Sequence, residues 1–357
     1  MLRCMYSGIS GMKVNQTKLD VIGNNIANVG TTAFKGGRVR FEDMLSQTST
    51  EALAPSTNQG GVNAKQVGLG VKVAGVDTLV GQGMMQPTSR NLDVAIDGEG
   101  YIMVGKGPTV FDTATAIKVG TDNTITTTNG TETMYTRDGA LTLDSQGNLL
   151  TSDGNRVLGY SILNTAATVP ATESIQSSGT YAAGSSTVAA AAGAGDINFI
   201  DANGKLTTSG VLKTLRIPDQ VLVPAKGAVL AHFAKVKDFS IGKDGLITAT
   251  LDDDSVTAIG QIAVAAFKNP EGLTKLGGNL YGQSASAGIA VVRSGIGSAN
   301  DNSKSYGDMD EGMLEMSNVD LTQQFTDMIV ASRAFQASSK VISTGDEILQ
   351  SILGLIR

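Results

Sequence analysis

The residues that could do chemistry are few, and their spacing matches none of the common catalytic arrangements. His232 is the only histidine and Cys4 the only cysteine, so the chain lacks the paired ligands of a zinc site and cannot form an internal disulfide. Cys4 stands near the start of an amphipathic segment, where a thiol is usually a small core side chain. Gly68 and Gly70 lack the other glycines of a dinucleotide-binding loop, and the sequence contains no Walker-type loop.

The densest acidic cluster is Asp252, Asp253 and Asp254. A calcium loop would alternate its ligands and end in a glutamate, and this cluster does neither. Because the cluster stands between two strand patterns, a solvated hairpin tip is the favoured interpretation. A Ser-His-Asp triad stays open at this point, but no Gly-x-Ser-x-Gly turn supports one. We therefore expect no catalytic residues, no metal and no cofactor, and we interpret the chain as a non-enzyme.

Composition narrows the class of protein further. The 357 residues suffice for two or three domains, and the net charge of −6 disfavours nucleic acid as a partner, because phosphate binding needs a basic patch. The 44 glycines, the absence of tryptophan and the aromatic content of 4% indicate many turns and small side chains. No apolar run is long enough to predict a membrane span. The N-terminus lacks the apolar region of a cleavable signal peptide, so none is expected.

Of the predicted elements, the C-terminal stretch 315–357 has the strongest apolar periodicity. Large apolar residues recur every seven positions, and two more widen the stripe: Leu321, Met328, Phe335, Ile342, Leu349 and Ile356, with Phe325 and Leu353. This is the spacing of a coiled-coil seam. The companion seam positions are polar, namely Ser332, Ser339 and Asp346. The pattern predicts a helix from about Val319, with Ser317 or Asn318 as its N-cap, and makes Gly345 an interior flaw costing about 1 kcal/mol.

The N-terminal stretch 1–30 carries a second helical stripe. Its apolar positions are Met5, Met12, Leu19 and Ile26, with Ile9 and Ile22 beside them. We expect the two terminal helices to pack on each other. Six large side chains buried at about 1.5–3 kcal/mol each contribute about 9–18 kcal/mol, less than the entropy lost in ordering about 40 residues. The helices are therefore expected to become ordered on assembly with further copies of the chain. An ordinary two-helix bundle that caps one domain stays open as the alternative.

Between the helices, strand patterns alternate with Asp-Gly and Asn-Pro turns, which predicts antiparallel β structure. The expected fold class is α+β, with N- and C-terminal α-helices forming a coiled-coil-like core domain and mainly antiparallel β outer domains. The expected divisions are an N-terminal core helix (1–30), an extended connector (31–75), a β domain in two parts (76–160 and 211–314), a small outer insertion (161–210) and a C-terminal core helix (315–357). The basic cluster Lys35, Arg38 and Arg40 is interpreted as a solvated face.

Four stretches carry a family resemblance, and they occur in order over nearly the whole chain except 161–210. They are SGISGM at 7–12 with LDVIGNNIANV at 19–29, NLDVAIDGEGY at 91–101 with YTRDG at 135–139, FKNPEGL at 267–273, and GMLEMSNVDL at 312–321 with RAFQ at 333–336. In this combination the chain resembles the flagellar rod–hook family of axial proteins. The tail DEILQSIL at 346–353 is similar to the hook members, and the distal rod members are the nearest alternative. Gln323, Gln324 and Ser332 depart from the family pattern but leave the apolar stripe intact.

The resemblance implies a structural subunit that assembles in many copies into a helical tube, with the terminal helices lining its core. A hook subunit would act as a flexible joint that transmits torque from rod to filament. The implied partners are further copies of the chain, the flagellar rod, hook cap and hook–filament junction proteins, and the type III export apparatus. The implied location is the extracellular hook, reached without signal cleavage. An exported surface-binding module and a hydrolase are the alternatives from other classes.

Overall fold

The computed structural model describes residues 2–55, 60–110, 116–120, 123–127, 130–164, 179–180, 191–192, 197–204, 206–223, 232–293 and 307–355. Its elements divide between two compact units. Unit 1 comprises Met1–Gly81 and Ser317–Arg357, and unit 2 comprises Gln82–Met316. No helix in the described part of the chain is both long enough and apolar enough to cross a membrane.

Unit 1 contains the two terminal helices and four strands. The elements are α1 (Leu2–Ala27), β1 (Gly37–Asp43), β2 (Ser46–Thr50), β3 (Lys65–Gly68), β4 (Val71–Thr78) and α2 (Leu321–Leu355). Strand β1 pairs with β4 and β2 pairs with β3, both antiparallel. The segment interpreted from sequence as an extended connector, 31–75, therefore contains paired strands over nearly half of its length. Val39 lies opposite Val76, and Phe41 lies opposite Val73. These cross-strand apolar pairs explain why the segment forms a ribbon.

Helix α2 begins two residues later than the sequence pattern predicted, and its N-cap is a different residue. The Asp320 carboxylate accepts hydrogen bonds from the backbone amides of Thr322 at 2.8 Å and Gln323 at 3.3 Å. A carboxylate in this position satisfies amides that have no partner inside the helix. The prediction of Ser317 or Asn318 as N-cap was wrong, because the Asn318 side chain bonds instead to the carbonyl oxygens of Leu79 and Gly81.

Unit 2 is built from strands β5 to β26 and one turn of 3-10 helix at Pro270–Gly272. The strands are β5 (Met85–Pro87), β6 (Val94–Asp97), β7 (Tyr101–Lys106), β8 (Ile117–Val119), β9 (Ile125–Thr127), β10 (Glu132–Thr136), β11 (Leu141–Leu143), β12 (Leu149–Thr151), β13 (Arg156–Asn164), β14 (Gly179–Thr180), β15 (Ala191–Ala192), β16 (Leu206–Thr214), β17 (Gln220–Val223), β18 (His232–Ile241), β19 (Leu246–Leu251), β20 (Val256–Ile262), β21 (Val264–Ala266), β22 (Thr274–Gly277), β23 (Leu280–Gly282), β24 (Val291–Arg293), β25 (Asp308–Glu311) and β26 (Met313–Glu315). A 16-stranded sheet has the main order β17-β18-β19-β20-β13-β7-β10-β23-β22. Two short pairs, β6 with β25 and β5 with β26, join the beginning of the unit to its end. The described strands thus confirm a mixed α+β fold that is mostly antiparallel.

Side-chain periodicity explains the placement of individual strands. In β19, Ile247, Ala249 and Leu251 are buried while the residues between them are half-buried, which is the period of two expected when one face of a strand meets the core. Strand β7 is buried from its first residue to Gly105, consistent with a central position, since both of its faces are covered. The apolar core of unit 2 includes Val104, Leu149, Ile247 and Ile259.

The structure has turns at the positions predicted from the sequence. Gly147, Gly154 and Gly245 have positive φ angles between 77° and 82°, a conformation that costs glycine little. Asp252, Asp253 and Asp254 form the tip between β19 and β20, where the Ser255 hydroxyl donates to the Asp253 carboxylate at 2.7 Å. The hairpin interpretation of this acidic cluster is confirmed. The predicted insertion 161–210 lies mostly outside the described residues.

Candidate assembly surface on the terminal helices

Helices α1 and α2 lie side by side in opposite directions. The Lys18 ammonium is 3.0 Å from the Asp327 carboxylate, and the Asn25 amide donates to the side chain of Gln324 at 3.1 Å. At the other end of α1, a Cβ placed on Gly345 would lie 3.3 Å from Cγ of Met5. The start of α1 therefore contacts the later part of α2, and the end of α1 contacts the beginning of α2.

Small residues allow the two helices to approach closely. A Cβ placed on Gly8 would lie 3.0 Å from Cγ1 of Ile342 and 3.3 Å from the carbonyl oxygen of Ser338, and one placed on Gly11 would lie 3.0 Å from the Ser338 hydroxyl. Glycine leaves room for a facing side chain where any other residue would occupy it. Gly345 is also buried. It is therefore a contact residue, and the interpretation of Gly345 as a mere flaw in the helix missed this role.

A line of small residues on α2 was not predicted from the sequence. Ala331, Ser338 and Gly345 recur every seven positions, and Ala331 and Gly345 are the buried residues of this helix. The polar series singled out from sequence, beginning at Ser332, is displaced from this line by one residue. On α1, buried Val14 was missed in the same way. The seven-residue recurrence of small side chains, and the pair Gly8 and Gly11, could have identified this contact line.

The predicted assembly residues divide into three groups in the structure. Ile22 is buried, and most of the others are half-buried: Met5, Met12, Leu19, Ile26, Met328, Phe335, Ile342 and Leu349. Ile9, Leu321, Phe325 and Leu353 are exposed. Ile356 lies outside the described residues. Most heptad positions are therefore at least partly covered, with Leu321 as an exposed exception, while Ile9, Phe325 and Leu353, which widen the stripes, are exposed.

The exposed part of α2 is strongly apolar. Phe325 is 50% exposed, Leu353 69% and Leu355 86%, and Ile329 is also largely exposed. Further exposed apolar residues on the same helix are Val330, Val341, Ile348 and Ile352. Exposed large apolar side chains of this kind are characteristic of sites that meet another protein or a membrane. We refer to Phe325 and Ile329 near the start of the helix, together with Leu353 and Leu355 at its end, as the outer face of α2.

An open groove of about 460 Å³ runs beside this helix near its contact with the start of α1. Its lining includes Cys4, Lys340, Val341, Thr344 and Ile348. Cys4 is exposed, so the expectation that its thiol fills a core was wrong. The groove is mostly apolar, with Lys340 as its charged residue. It extends the unburied apolar surface from the outer face of α2 toward α1.

His232 and the acidic cluster, which were also considered for chemistry, lie elsewhere. His232 is exposed at the start of β18, with Nε2 3.9 Å from the Asp253 carboxylate at the neighbouring hairpin tip. Within the described ranges, no three His, Cys, Asp or Glu side chains group closely enough to hold a metal ion. The exposed apolar side chains on the helices therefore remain the candidate functional site in unit 1.

Comparison with known proteins agrees with this arrangement. Residues 310–355 match the family described as flagellar basal body rod FlgEFG protein C-terminal, residues 5–35 match flagella basal body rod protein, and residues 124–188 match the flagellar hook protein FlgE/F/G D1 domain. The flagellar basal-body rod protein FlgG of Bacillus subtilis is 38% identical over 357 residues, covering 100% of both chains. The flagellar hook protein FlgE of Treponema pallidum is 31% identical over 472 aligned residues, also covering 100% of both.

A crystal structure of Helicobacter pylori flagellar hook protein FlgE2 aligns with 65% of this chain and 100% of its own, at 10% identity and a TM-score of 0.36. The two full-length sequence relatives are named as a flagellar basal-body rod protein and a flagellar hook protein. Their identity and coverage, together with the family matches at both ends, show that this chain belongs to the flagellar rod and hook family of axial proteins.

Proposed function

We propose that this protein is a non-enzymatic structural subunit that assembles with many copies of itself into a helical tube. The single observation that carries the proposal is the outer face of α2, on which large apolar side chains meet solvent in one chain. Burying a side chain such as Leu or Phe stabilises a protein by about 1.5–3 kcal/mol. Every further copy carries the same surfaces, so copies can be added one after another along an axis.

The lengths of the two helices also support association. Helix α1 starts at Leu2, just before Met5, whereas α2 continues from Gly345 to Leu355. Roughly 10 Å of α2 therefore extends past the start of α1. Leu353 and Leu355 lie in this extension and are exposed. In the proposal, neighbouring subunits cover this extension, and the paired helices form a coiled-coil-like core.

For the position in the flagellar axis, we propose the hook, where the assembled tube acts as a flexible joint between rod and filament. The hook-like tail at 346–353 supports this position, whereas the family match at 124–188 covers hook and rod members alike. The β unit would then lie outside the helical core, with 161–210 as a small outer insertion. Further copies, rod, cap and junction proteins, and the type III export apparatus would be the partners.

The distal rod is the second candidate position. The Bacillus subtilis rod protein aligns with this chain over 357 residues, whereas the Treponema pallidum hook protein needs 472 aligned residues. The rod relative therefore agrees better in length. Electron microscopy of basal bodies from a deletion strain separates the two positions: complete rods without hooks support the hook, and truncated rods support the distal rod.

Self-assembly is tested by placing a charge on the outer face of α2. The substitution Phe325→Asp is expected to abolish tube formation, because an isolated carboxylate buried between subunits has no partner. Sedimentation and electron microscopy of the purified full chain measure the outcome. The matched control is Thr326→Asp, which adds the same charge at the next, polar and exposed position.

Because Phe325 is half exposed, its substitution is expected to leave the fold of the single chain intact, which circular dichroism checks. Normal tubes from folded Phe325→Asp protein would refute assembly through this face. Loss of tubes in both variants would assign the effect to charge rather than to the apolar contact.

A further inference from the structure

The seven-residue pattern of the terminal helices does not by itself fix how the two helices align. The apolar positions of α1 recur every seven residues, and so do the small residues Ala331, Ser338 and Gly345 of α2. Gly11 lies against Ser338 in the structure. A shift of α2 by seven residues would bring Gly345 or Ala331 to the same place. Since small and apolar side chains would still match, another contact must select the observed register.

Asn25, near the end of α1, makes hydrogen bonds that can select the register. The residue is buried, with 2% of its surface exposed. Its Nδ2 group donates to the carbonyl oxygen of Gly37 at 2.8 Å and to the side chain of Gln324 at 3.1 Å. Its Oδ1 accepts from the amide of Gly37 at 2.9 Å. The Asn25 side chain therefore joins the end of α1 both to the start of β1 and to the first turn of α2.

Asn318, shortly before α2 begins, makes a similar contact. Its side-chain oxygen accepts from the amide of Gly36 at 2.9 Å. Gly36 precedes Gly37 directly, so two asparagine side chains, one from each helical segment, bind adjacent residues of the same turn. We name Asn25, Asn318 and Gln324 the asparagine lock.

The asparagine lock distinguishes the observed register from the two registers that lie seven residues away. A shift in one direction would bring Ala331 to the place of Gln324, which leaves a buried N–H group of Asn25 without a partner. A shift in either direction would also move Asn318 by roughly 10 Å from Gly36. Leaving a buried donor unpaired costs more than an average hydrogen bond contributes. A single buried asparagine fixes the register of coiled coils for this reason.

We propose that the asparagine lock selects the register in which the two terminal helices pair. The other polar contact between the helices joins Lys18 and Asp327 at 3.0 Å, with side chains that are 25% and 37% exposed. Ion pairs of this exposure contribute little to stability. The apolar and small side chains supply the contact area, whereas the buried amide groups discriminate between alignments.

The register also sets the length of the α2 extension. A shift by seven residues moves α2 by roughly 10 Å along α1, which would either remove the extension or about double it. The asparagine lock would thus determine how much of the apolar end of α2 each subunit presents to its neighbours. This consequence rests on the proposed function, whereas the selection of the register is a property of the single chain.

Disulfide formation between introduced cysteines measures the register. All variants carry Cys4→Ser, so that only the introduced pair can react. A Cβ placed on Gly11 would lie 3.7 Å from Cβ of Ser338, a separation typical of disulfides. Gly11→Cys with Ser338→Cys therefore reports the observed register. Gly11→Cys combined with Gly345→Cys or with Ala331→Cys reports the two shifted registers.

We expect the chain with an intact asparagine lock to form predominantly the disulfide of the observed register. With Asn25→Ala, the ratio of shifted to observed disulfide is expected to rise about tenfold, because no buried amide loses its partner in the shifted registers. Gln324→Glu is expected to keep the observed register, since its carboxylate still accepts from Asn25. The matched control is Asn24→Ala, at the neighbouring exposed position of the same helix.

Peptide mapping by mass spectrometry of the monomeric fraction gives the disulfide yields, so a failure of tube assembly would not alter the result. Circular dichroism checks that each variant keeps its helices. If Asn25→Ala loses them, Gln324→Ala decides instead, because it removes the acceptor at a half-buried position. A folded deciding variant with the disulfide pattern of Asn24→Ala would overturn the proposal. Equal yields of observed and shifted disulfides with the lock intact would overturn it as well.

Discussion

At the scale of single residues, four aromatic side chains of unit 2 form one cluster. Tyr101 makes edge-to-face contacts with Phe267 and Tyr281, at ring-centroid distances of 5.9 and 5.6 Å, and Tyr135 contacts Phe267 at 4.7 Å. The Arg137 guanidinium lies 5.9 Å from the Tyr101 ring. Such pairs stabilise by about 0.5–1.5 kcal/mol beyond the burial of their area. The cluster thus compensates in part for the absence of tryptophan.

The cluster makes the stability of unit 2 sensitive to alkaline pH. Burial raises the pKa of Tyr101 and of Tyr135 to about 12, and it raises the pKa of Tyr281 as well. In the unfolded chain these hydroxyls ionise near pH 10. The stabilising contribution is therefore complete below about pH 10 and is lost as the pH rises toward 12, by about 1.4 kcal/mol per pH unit for each tyrosine.

Denaturant unfolding at several pH values between 9 and 12 measures this loss. The substitution Tyr101→Phe removes one ionising group while keeping the ring, so the pH dependence is expected to become shallower. A pH dependence that is identical in Tyr101→Phe would contradict the assignment. The comparison is needed because lysines titrate in the same range.

At the scale of elements, the contact between α1 and α2 depends on small residues. We expect Gly8→Val to separate the helices, because the new side chain would meet Ile342 and the backbone of Ser338. Inserting extra methylene groups into a packed contact typically costs about 1–3 kcal/mol. Thermal unfolding followed by far-ultraviolet circular dichroism measures the loss of helix stability.

The matched control is Gly23→Val, on the same helix, where an added Cβ meets nothing within 4 Å. Both variants replace glycine by the same β-branched residue, so helix propensity affects both in the same direction. The difference between them reports the helix contact alone. Equal unfolding temperatures for the two variants would show that Gly8 is not a close contact.

At the scale of the whole molecule, deletions can test whether the terminal helices or the insertion supply the contacts needed for assembly. Removing 174–195 is expected to leave tube formation intact, because the proposed assembly contacts lie on the terminal helices. Removing 350–357 is expected to abolish it, because the exposed extension of α2 is lost. Electron microscopy of both purified proteins gives the readout. Loss of tubes in the 174–195 deletion alone would show that the insertion is an essential contact.

Features that depend on local periodicity could be predicted from the sequence. The seven-residue recurrence from Met5 to Ile26 predicted α1, and strand patterns separated by Asp-Gly turns predicted the antiparallel β structure. The Asp-Gly turns were placed correctly because positive backbone angles favour glycine locally. Four family motifs in order identified the family, which the full-length relatives confirmed.

Which polar residues are buried is seen only in the tertiary structure. Lys35 was expected on a solvated face with Arg38 and Arg40, yet it is buried against Gly81 while the two arginines remain exposed near Asp77. The Arg137–Glu315 pair joins residues 178 positions apart. No local pattern encodes such a pair, because its stability comes from the surrounding strands that exclude water. Local periodicity therefore predicted the helices and strands. The contacts between residues far apart in the sequence could not be predicted, because they depend on burial in the folded chain.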